Sequence, residues 1–250
     1  MSFRIAVAGK GGVGKSTLAA LLVRALHDRS KKIIMAVDAD PNSNLGEKLG
    51  VKVEKTIGDL REELLKKADE LPAGQSKQEY VRYQMQLALM EGEGFDLLTM
   101  GRPEGQGCYC YINNILRTFL DTAMDDYEYV VIDNEAGMEH LSRRTTRSMD
   151  VLLLVSDPTK VGLETAKRLL DLSKAMEIKV GTSLLVVNRA KGLLDPGLDE
   201  LIRSAGFDRV ELVPLDPEVE RAAMVGRPLI GIAPENLVLK RVGEIAWLLV

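Results

Sequence analysis

The feature that most constrains the fold is a glycine-rich run between an apolar segment and an amphipathic one. Residues 9–17 read GKGGVGKST, after FRIAVA at 3–8 and before a helical pattern at 15–29. Glycines let backbone N–H groups curl around an anion, and a helix N-terminus adds partial positive charge. A glycine, four residues and then Gly-Lys-Ser is the Walker A spacing. The sequence therefore predicts a phosphate-binding loop between a strand and a helix.

The side chains of this loop have separate predicted roles. Lys15 offers a point charge to the β and γ phosphates of ATP or ADP, and the Ser16 hydroxyl suits Mg²⁺. The other nucleotide contacts expected in the loop are Gly9, Gly11, Gly12, Val13, Gly14 and Thr17. A glycine-rich turn without a ligand is the competing interpretation. Average composition gives this pattern by chance in roughly one chain in a hundred.

Apolar runs alternate with helical patterns along the rest of the chain. This alternation predicts an α/β fold: a three-layer, mostly parallel twisted sheet flanked by helices. Predicted strands span 3–8, 32–38, 95–99, 128–133, 150–155, 182–187 and 209–213. Predicted helices span 15–29, 57–70, 76–90, 112–124, 138–148, 160–175, 196–205, 216–225 and 235–249. We expect a single domain over 1–250, with a helical insertion at about 52–92 over one edge of the sheet.

Charge and hydropathy disfavour non-specific binding of nucleic acid and a membrane-spanning segment, while a local basic patch stays open. The formal net charge of −4 gives no overall basic footprint for non-specific binding of nucleic acid. No run of 18 or more apolar residues predicts a membrane span. The N-terminal residues lead directly into a strand pattern, so we expect no signal peptide and a cytoplasmic protein.

Carboxylates follow two of the predicted strands. Asp38 and Asp40 end the second strand, and Asp133 ends the strand at 128–133. Ligands of open α/β sheets bind at the carboxyl ends of the strands, and Asp133 there suits coordination of Mg²⁺. An ordinary surface turn is the competing interpretation of the Asp-Pro-Asn sequence after Ala39. Glu135 adds a further acid without an assigned role, and a solvated loop charge is its competing interpretation.

The two cysteines of the chain, Cys108 and Cys110, are two positions apart. In an extended backbone residues i and i+2 face the same side, so both thiolates can reach one soft metal ion. A two-fold dimer would bring two such pairs together into a four-sulfur site. Zn²⁺, Ni²⁺, Cu⁺ and an iron–sulfur cluster all suit thiolates. Buried inert thiols and a redox dithiol are the competing interpretations.

The full loop sequence, with Lys10 as its second residue, resembles the deviant Walker A of the MinD/ArsA/nitrogenase-iron-protein class of P-loop NTPases. This resemblance implies a homodimer in which Lys10 reaches the nucleotide of the other subunit. It also implies that Asp40 orients the attacking water and belongs, with Ser16 and Asp133, to the Mg²⁺ site, while Asp38 helps to hold the first switch or the Mg²⁺ shell. The position of Asn188 resembles the adenine contact of that class. The implied base-binding residues are Asn188, Arg189, Pro214, Leu215 and Asp216.

A narrower resemblance is carried by the Cys-Tyr-Cys sequence and by AGMEHL at 136–141. Together with the loop, these motifs resemble the CooC-type nickel-maturation ATPases. The resemblance implies ATP hydrolysis, Ni²⁺ or Zn²⁺ held by Cys108 and Cys110 between subunits, and acetyl-CoA synthase or carbon monoxide dehydrogenase as the client.

Other ATPases of the class are the alternatives. A ParA/MinD-type positioning ATPase would carry the same loop and bind membrane or DNA, and the amphipathic stretch at 235–242 could serve it. An electron-transfer protein like the nitrogenase iron protein spaces its cysteines far apart. Iron–sulfur scaffold ATPases use Cys-x-x-Cys nearer the C-terminus. The cysteine spacing therefore favours the CooC type.

Overall fold

The computed structural model describes residues 2–66, 77–101, 118, 121–136 and 148–249. These residues form an eight-stranded sheet in the order β3-β4-β2-β5-β1-β6-β7-β8. The strands are β1 (Phe3–Gly9), β2 (Ile34–Ala39), β3 (Met90–Gly92), β4 (Phe95–Thr99), β5 (Tyr129–Ala136), β6 (Ser148–Ser156), β7 (Lys179–Ala190) and β8 (Arg209–Pro214). Neighbouring strands are parallel except for the antiparallel pair β3–β4. The predicted mostly parallel sheet is confirmed.

Helices cover both faces of the sheet. The described helices are α1 (Lys15–Ser30), α2 (Leu45–Leu49), α3 (Ile57–Lys66), α4 (Lys77–Leu87), α5 (Lys160–Ala175), α6 (Pro196–Ala205), α7 (Pro217–Val225) and α8 (Leu237–Leu249), with a 3₁₀ turn at Leu229–Gly231. Alternate residues of a strand face opposite sides, and β1 shows this directly. Ile5 and Val7 pack in the core with α1 and α8, while Ala6 and Ala8 pack with α5 and α6.

The segment 52–92 covers a face of the sheet in addition to lying near its edge. Ile57 of α3 and Met85 of α4 belong to a buried cluster with Met35 and Val37 of β2. Each of these side chains is at most 5% exposed. The helices of this segment therefore form part of the outer layer over β2, β4 and β5.

The predicted helix at 76–90 is wrong at its C-terminal end. Helix α4 ends at Leu87, and residues 90–92 form β3, which pairs with β4. Gly94 has φ +83° at the turn of this hairpin, a conformation that glycine adopts at low cost. The apolar residues at 87–90 continue the helical pattern, so the end of the helix was not visible in the periodicity.

Smaller differences occur elsewhere. Ser148, placed at the end of a predicted helix, begins β6 instead. The predicted strand at 182–187 extends over Lys179–Ala190, and the short helix α2 was not predicted. Parts of the predicted helices at 57–70, 112–124 and 138–148 lie outside the described residues.

Candidate nucleotide site

The glycine-rich loop connects β1 to α1 at the carboxyl edge of the sheet. Gly9 ends β1 so close to β6 that a Cβ atom would collide with the carbonyl oxygen of Val155. Gly14 has φ +96°, and a Cβ there would lie 2.5 Å from the Asn188 side-chain nitrogen. Both positions therefore require glycine. The loop can approach its neighbours closely, and α1 can begin directly at Lys15.

The Lys15 side chain is held inside the loop. It is 7% exposed, and its Nζ donates a hydrogen bond to the Lys10 carbonyl oxygen at 3.3 Å. Burial lowers the pKa of Lys15, while the negative charges of Asp133, Asp40 and Glu135 act in the opposite direction. A cation is thus fixed where the loop would hold phosphate oxygens. The Lys10 side chain is exposed.

Asp38 connects the end of β2 to the start of α2. One carboxylate oxygen accepts a hydrogen bond from the Asp40 N–H at 3.1 Å, and the other accepts one from the Leu45 N–H at 2.9 Å. The side chain is fully buried, and this burial raises its pKa to about 6 against the effect of the two backbone donors. Both oxygens have protein partners, so the geometry favours a role in shaping the segment 38–45.

Asp40 projects into the cleft beside the loop. Its Oδ1 accepts hydrogen bonds from the Asn42 N–H at 2.8 Å and from the Asn42 side-chain amide at 2.9 Å. Asp40 lines the same cleft as Lys15 and Ser16. The carboxylate that the sequence assigned to water positioning is therefore close to the predicted phosphate site.

Asp133 is the most unusual acid of the site. It lies beside Asp38 in the register of β5 and β2, and it is fully buried. Among the described residues, none makes a hydrogen bond of normal geometry to either of its oxygens. Burial raises its pKa to about 7, although the nearby Ser16 hydroxyl favours the charged form and Lys15 acts in the same sense.

The surroundings of Asp133 fit Mg²⁺. Two free oxygens on a buried carboxylate match a hard cation, and the Ser16 hydroxyl supplies another oxygen. The described residues contain no group of three or more His, Cys, Asp or Glu arranged as a complete metal site. Mg²⁺ commonly uses one or two carboxylates together with water and substrate phosphates, so such a group is not required.

The five predicted base-binding residues come together in one small pocket. Asn188, Arg189, Pro214, Leu215 and Asp216 line it together with Gly14. The Asn188 amide donates to the Val13 carbonyl oxygen at 2.8 Å, and an Arg189 nitrogen donates to the Gly12 carbonyl oxygen at 3.2 Å. The predicted pocket is therefore attached to the phosphate loop by two side chains.

Asp216 has a structural role that the sequence analysis did not assign. Its Oδ1 accepts from the N–H groups of Glu218 at 2.9 Å and Val219 at 3.0 Å, as the N-cap of α7. The side-chain amide of Asn236 donates to the same oxygen at 3.2 Å. The pattern of Asp followed by Pro217 and Glu218 is a helix N-terminal signal that could have shown this role.

The loop opens into a cleft of about 480 Å³. Sequence reasoning missed two of its charged residues, Lys48 of α2 and Glu135 of β5. Lys48 lies in no recognisable motif, and its place in the cleft follows from the position of α2. Glu135 was noted in the sequence but received no role.

Comparison with known proteins identifies the family. Residues 5–229 match the CobQ/CobB/MinD/ParA nucleotide binding domain. The chain belongs to this family. Its eight-stranded, mostly parallel sheet flanked by helices matches the fold of solved ParA and MinD proteins.

Two relatives of this MinD/ParA-type chain span nearly its whole length. An uncharacterized ATP-binding protein of Methanocaldococcus jannaschii is 47% identical over 97% of this chain and 96% of its own. The carbon monoxide dehydrogenase accessory protein CooC of Rhodospirillum rubrum is 32% identical over 92% of this chain and 90% of its own. Among solved structures, the septum site-determining protein MinD of Pyrococcus horikoshii, complexed with Mg-ADP, has a TM-score of 0.69 and 22% identity, with coverage of 98% and 95%.

Several predicted features of this family member lie outside the described residues. Cys108 and Cys110 are among them, so the predicted thiolate site stays a prediction. Within the ranges that the structure does describe, no helix combines the length and the apolar character needed to cross a membrane.

Proposed function

We propose that the protein hydrolyses ATP and uses the energy to promote nickel insertion into the metal cluster of acetyl-CoA synthase or carbon monoxide dehydrogenase. The ATPase part depends on one observation above all. Asp133 is fully buried with both oxygens unpaired among the described residues, beside a Walker A loop that holds Lys15 and Ser16. An uncompensated buried carboxylate is costly, and a site for MgATP accounts for it.

The residues of the cleft divide the chemistry among them. The loop N–H groups and the start of α1 hold the phosphates, and Lys15 adds its charge to the β and γ oxygens. Asp40 orients the attacking water, while Asp38 keeps the segment that carries Asp40 in place. Asp133 and Ser16 would hold Mg²⁺, which would offset the negative charge of the phosphates. The solved MinD structure with Mg-ADP supports the choice of ligand.

The nickel part depends on Cys108 and Cys110 and on the similarity to CooC, a carbon monoxide dehydrogenase accessory protein. In this proposal two subunits close over nucleotide, with Lys10 of each reaching the other active site. Closure brings the two cysteine pairs together as a four-thiolate site for Ni²⁺ or Zn²⁺. Nickel is the cargo, and the nucleotide state decides when it is held.

One observation disfavours the positioning alternative. The amphipathic pattern near the C-terminus could have placed a helix on lipid. In the structure Val238, Val242 and Ile245 of α8 are buried in the core cluster that contains α1. The face of α8 that carries these three residues is therefore used in folding, while Leu237, Trp247 and Leu248 of the same helix are exposed.

Metal titration of reduced, anaerobic protein tests the proposal. Ni²⁺ and Zn²⁺ are titrated without nucleotide, with ADP and with ATP, while light scattering follows the mass. We expect one thiolate-bound metal per two chains, dependent on nucleotide and lost in the Cys108→Ser/Cys110→Ser variant.

Lys15→Ala is the matched control, because it keeps both cysteines and removes the phosphate contact. We expect its metal binding to lose the dependence on nucleotide. Wild-type protein that binds no metal through thiolates in any nucleotide state would refute the nickel function. Lipid and DNA co-sedimentation with ATP would then test the positioning alternative.

A further inference from the structure

We propose that Glu135 makes binding of ATP depend on magnesium, because its negative charge faces the triphosphate and opposes the entry of metal-free ATP. This inference rests on the proposed ATPase function and gives Glu135 a role in selecting the ligand. Three observations carry it. The Glu135 side chain lines the cleft, no hydrogen bond or ion pair reaches it from the described residues, and other charged side chains surround it.

The direction of the Glu135 side chain follows from the face of β5 that lines the cleft. Val131 of this strand packs in the cluster with α1, whereas Val130 and Ile132 pack on the opposite face. By this alternation Asp133 projects on the α1 side. The pairing of β5 with β1 shifts register between Asp133 and Ala136, so the position of Glu135 is given by the cleft that it lines. Glu135 indeed lines the cleft together with Lys15, Ser16 and Asp40.

Among the residues that the structure describes, Glu135 has no fixed partner in this cleft. It is half-buried, and among the described residues no hydrogen bond or ion pair reaches its side chain. Its charge still acts on Lys15, where it favours the protonated ammonium. A carboxylate with this position and no partner supplies an unneutralised negative charge to whatever occupies the cleft.

The balance of charges then decides which ligand is accepted. Asp40 and Glu135 line the cleft with the cations Lys15, Lys48 and Arg189, and Asp133 is buried behind it. Metal-free ATP carries close to four negative charges. At an effective dielectric constant of about 20, one charge about 10 Å from another changes a binding constant by roughly tenfold. Glu135 therefore opposes the free triphosphate strongly and MgATP much less.

The oxygens of Asp133 are the independent indication that a cation belongs here. Both are buried and unpartnered among the described residues. Mg²⁺ bound near Asp133 would compensate the charge of Asp133. The same ion would offset the repulsion between Glu135 and the phosphates. Acidic residues at the phosphate end thus couple the nucleotide to the metal.

Equilibrium binding with and without metal tests this inference. Dissociation constants for ATP are measured by calorimetry in excess Mg²⁺ and in EDTA for wild-type, Glu135→Gln and Glu135→Asp proteins. Glu135→Gln is expected to bind ATP about tenfold more tightly in EDTA and to change less in excess Mg²⁺, so the ratio of the two constants falls. Glu135→Asp keeps the charge and is expected to keep the wild-type ratio.

Glu128→Gln is the matched control for the change in net charge. Glu128 immediately precedes β5 at the other edge of the sheet, about 23 Å away at the rise of a strand. Its exposed ion pair with Lys32, at 3.2 Å, has little effect on stability. We expect the wild-type ratio in this variant, together with unchanged melting temperatures in all variants without nucleotide.

The outcomes separate this inference from the proposed function. A Glu135→Gln protein that binds ATP with the wild-type ratio overturns the role of Glu135 and leaves the ATPase proposal standing. A Glu135→Asp protein that behaves like Glu135→Gln also overturns it, because charge would not be the cause. Wild-type protein that binds ATP in neither condition removes the proposed function and this inference with it.

Discussion

Replacing Asp133 with Asn should stabilise the nucleotide-free protein while weakening its binding of MgATP. The substitution keeps the size of the side chain and removes a charge that is fully buried without a hydrogen-bond partner among the described residues. Stability and function conflict at this position, because the charge that destabilises the folded protein is the charge that would hold Mg²⁺. The conflict can be measured as a function of pH.

The sign of the effect follows from proton linkage. Burial raises the pKa of Asp133 from 3.8 to about 7 in the folded protein. Between these values the folded protein keeps the proton while the unfolded chain loses it, so stability falls as pH rises through this window. Above pH about 7 both states are ionised and the loss is complete. Asn carries no proton and does not share this dependence.

The magnitude can be estimated from the same pKa values. Linkage gives a cost of about 1.5 kcal/mol at pH 5 and ~4 kcal/mol at pH 8 for the wild-type carboxyl. The advantage of Asp133→Asn over wild type should therefore grow by about 2–3 kcal/mol between these two pH values. The burial cost of the new amide is the same at both pH values and cancels in this difference.

Urea unfolding at pH 5 and pH 8, in EDTA and without nucleotide, measures this difference. Asp171→Asn is the control, because Asp171 is an exposed acid whose ion pair with Lys167, at 2.6 Å, is on the helix surface. We expect no growth of the difference with pH in that variant. An Asp133→Asn protein whose relative stability is the same at pH 5 and pH 8, or falls, would refute the reasoning.

Two further substitutions test the loop and the far edge of the sheet. Gly14→Ala should lower the free energy of unfolding, measured in urea, by about 2–4 kcal/mol, because φ is positive there and the Asn188 hydrogen bond to the loop is lost. Gly243→Ala is the control, because the space around it is open and the substitution should be neutral or stabilising. A Gly14→Ala protein of wild-type stability would contradict the close approach of Asn188 at 2.5 Å. Asp208→Ala should cost about 1–3 kcal/mol at pH 7, because Asp208 accepts from the Ser183 N–H and hydroxyl. Those bonds lower the pKa of Asp208, so its stabilisation is present above pH about 4 and disappears at lower pH; an equal loss at pH 3 and pH 7 would contradict it.

The parts of the site that could be predicted from the sequence are local. The loop at 9–17 connects adjacent elements, and its glycines, Lys15 and Ser16 are fixed by short-range geometry. Asp40 follows β2 and Asp133 lies near the end of β5, and the carboxyl ends of both strands lie at one edge of a parallel sheet. Motif and topology together were therefore sufficient to bring them into one cleft.

The missed parts depend on contacts between distant segments. Lys48 reaches the cleft because Asp38 accepts a hydrogen bond from Leu45 and so fixes the start of α2. The burial of Asp133 depends on the position of β5 between β1 and β2 in the sheet. Neither has a signature in local sequence. The capping role of Asp216 does have a local signature, which is the Asp followed by Pro217 and Glu218. The sequence analysis assigned Asp216 only a contact with the base.

ATP turnover measured beside ATP binding is the most direct test of the central claim, that this cleft hydrolyses ATP with Asp40 positioning the water. Wild-type protein with Mg²⁺ should release phosphate, and Asp40→Asn should lower kcat by about 10²–10⁴-fold while it still binds MgATP. Wild-type protein that binds MgATP without turnover, or an Asp40→Asn protein with the wild-type kcat, would contradict the account.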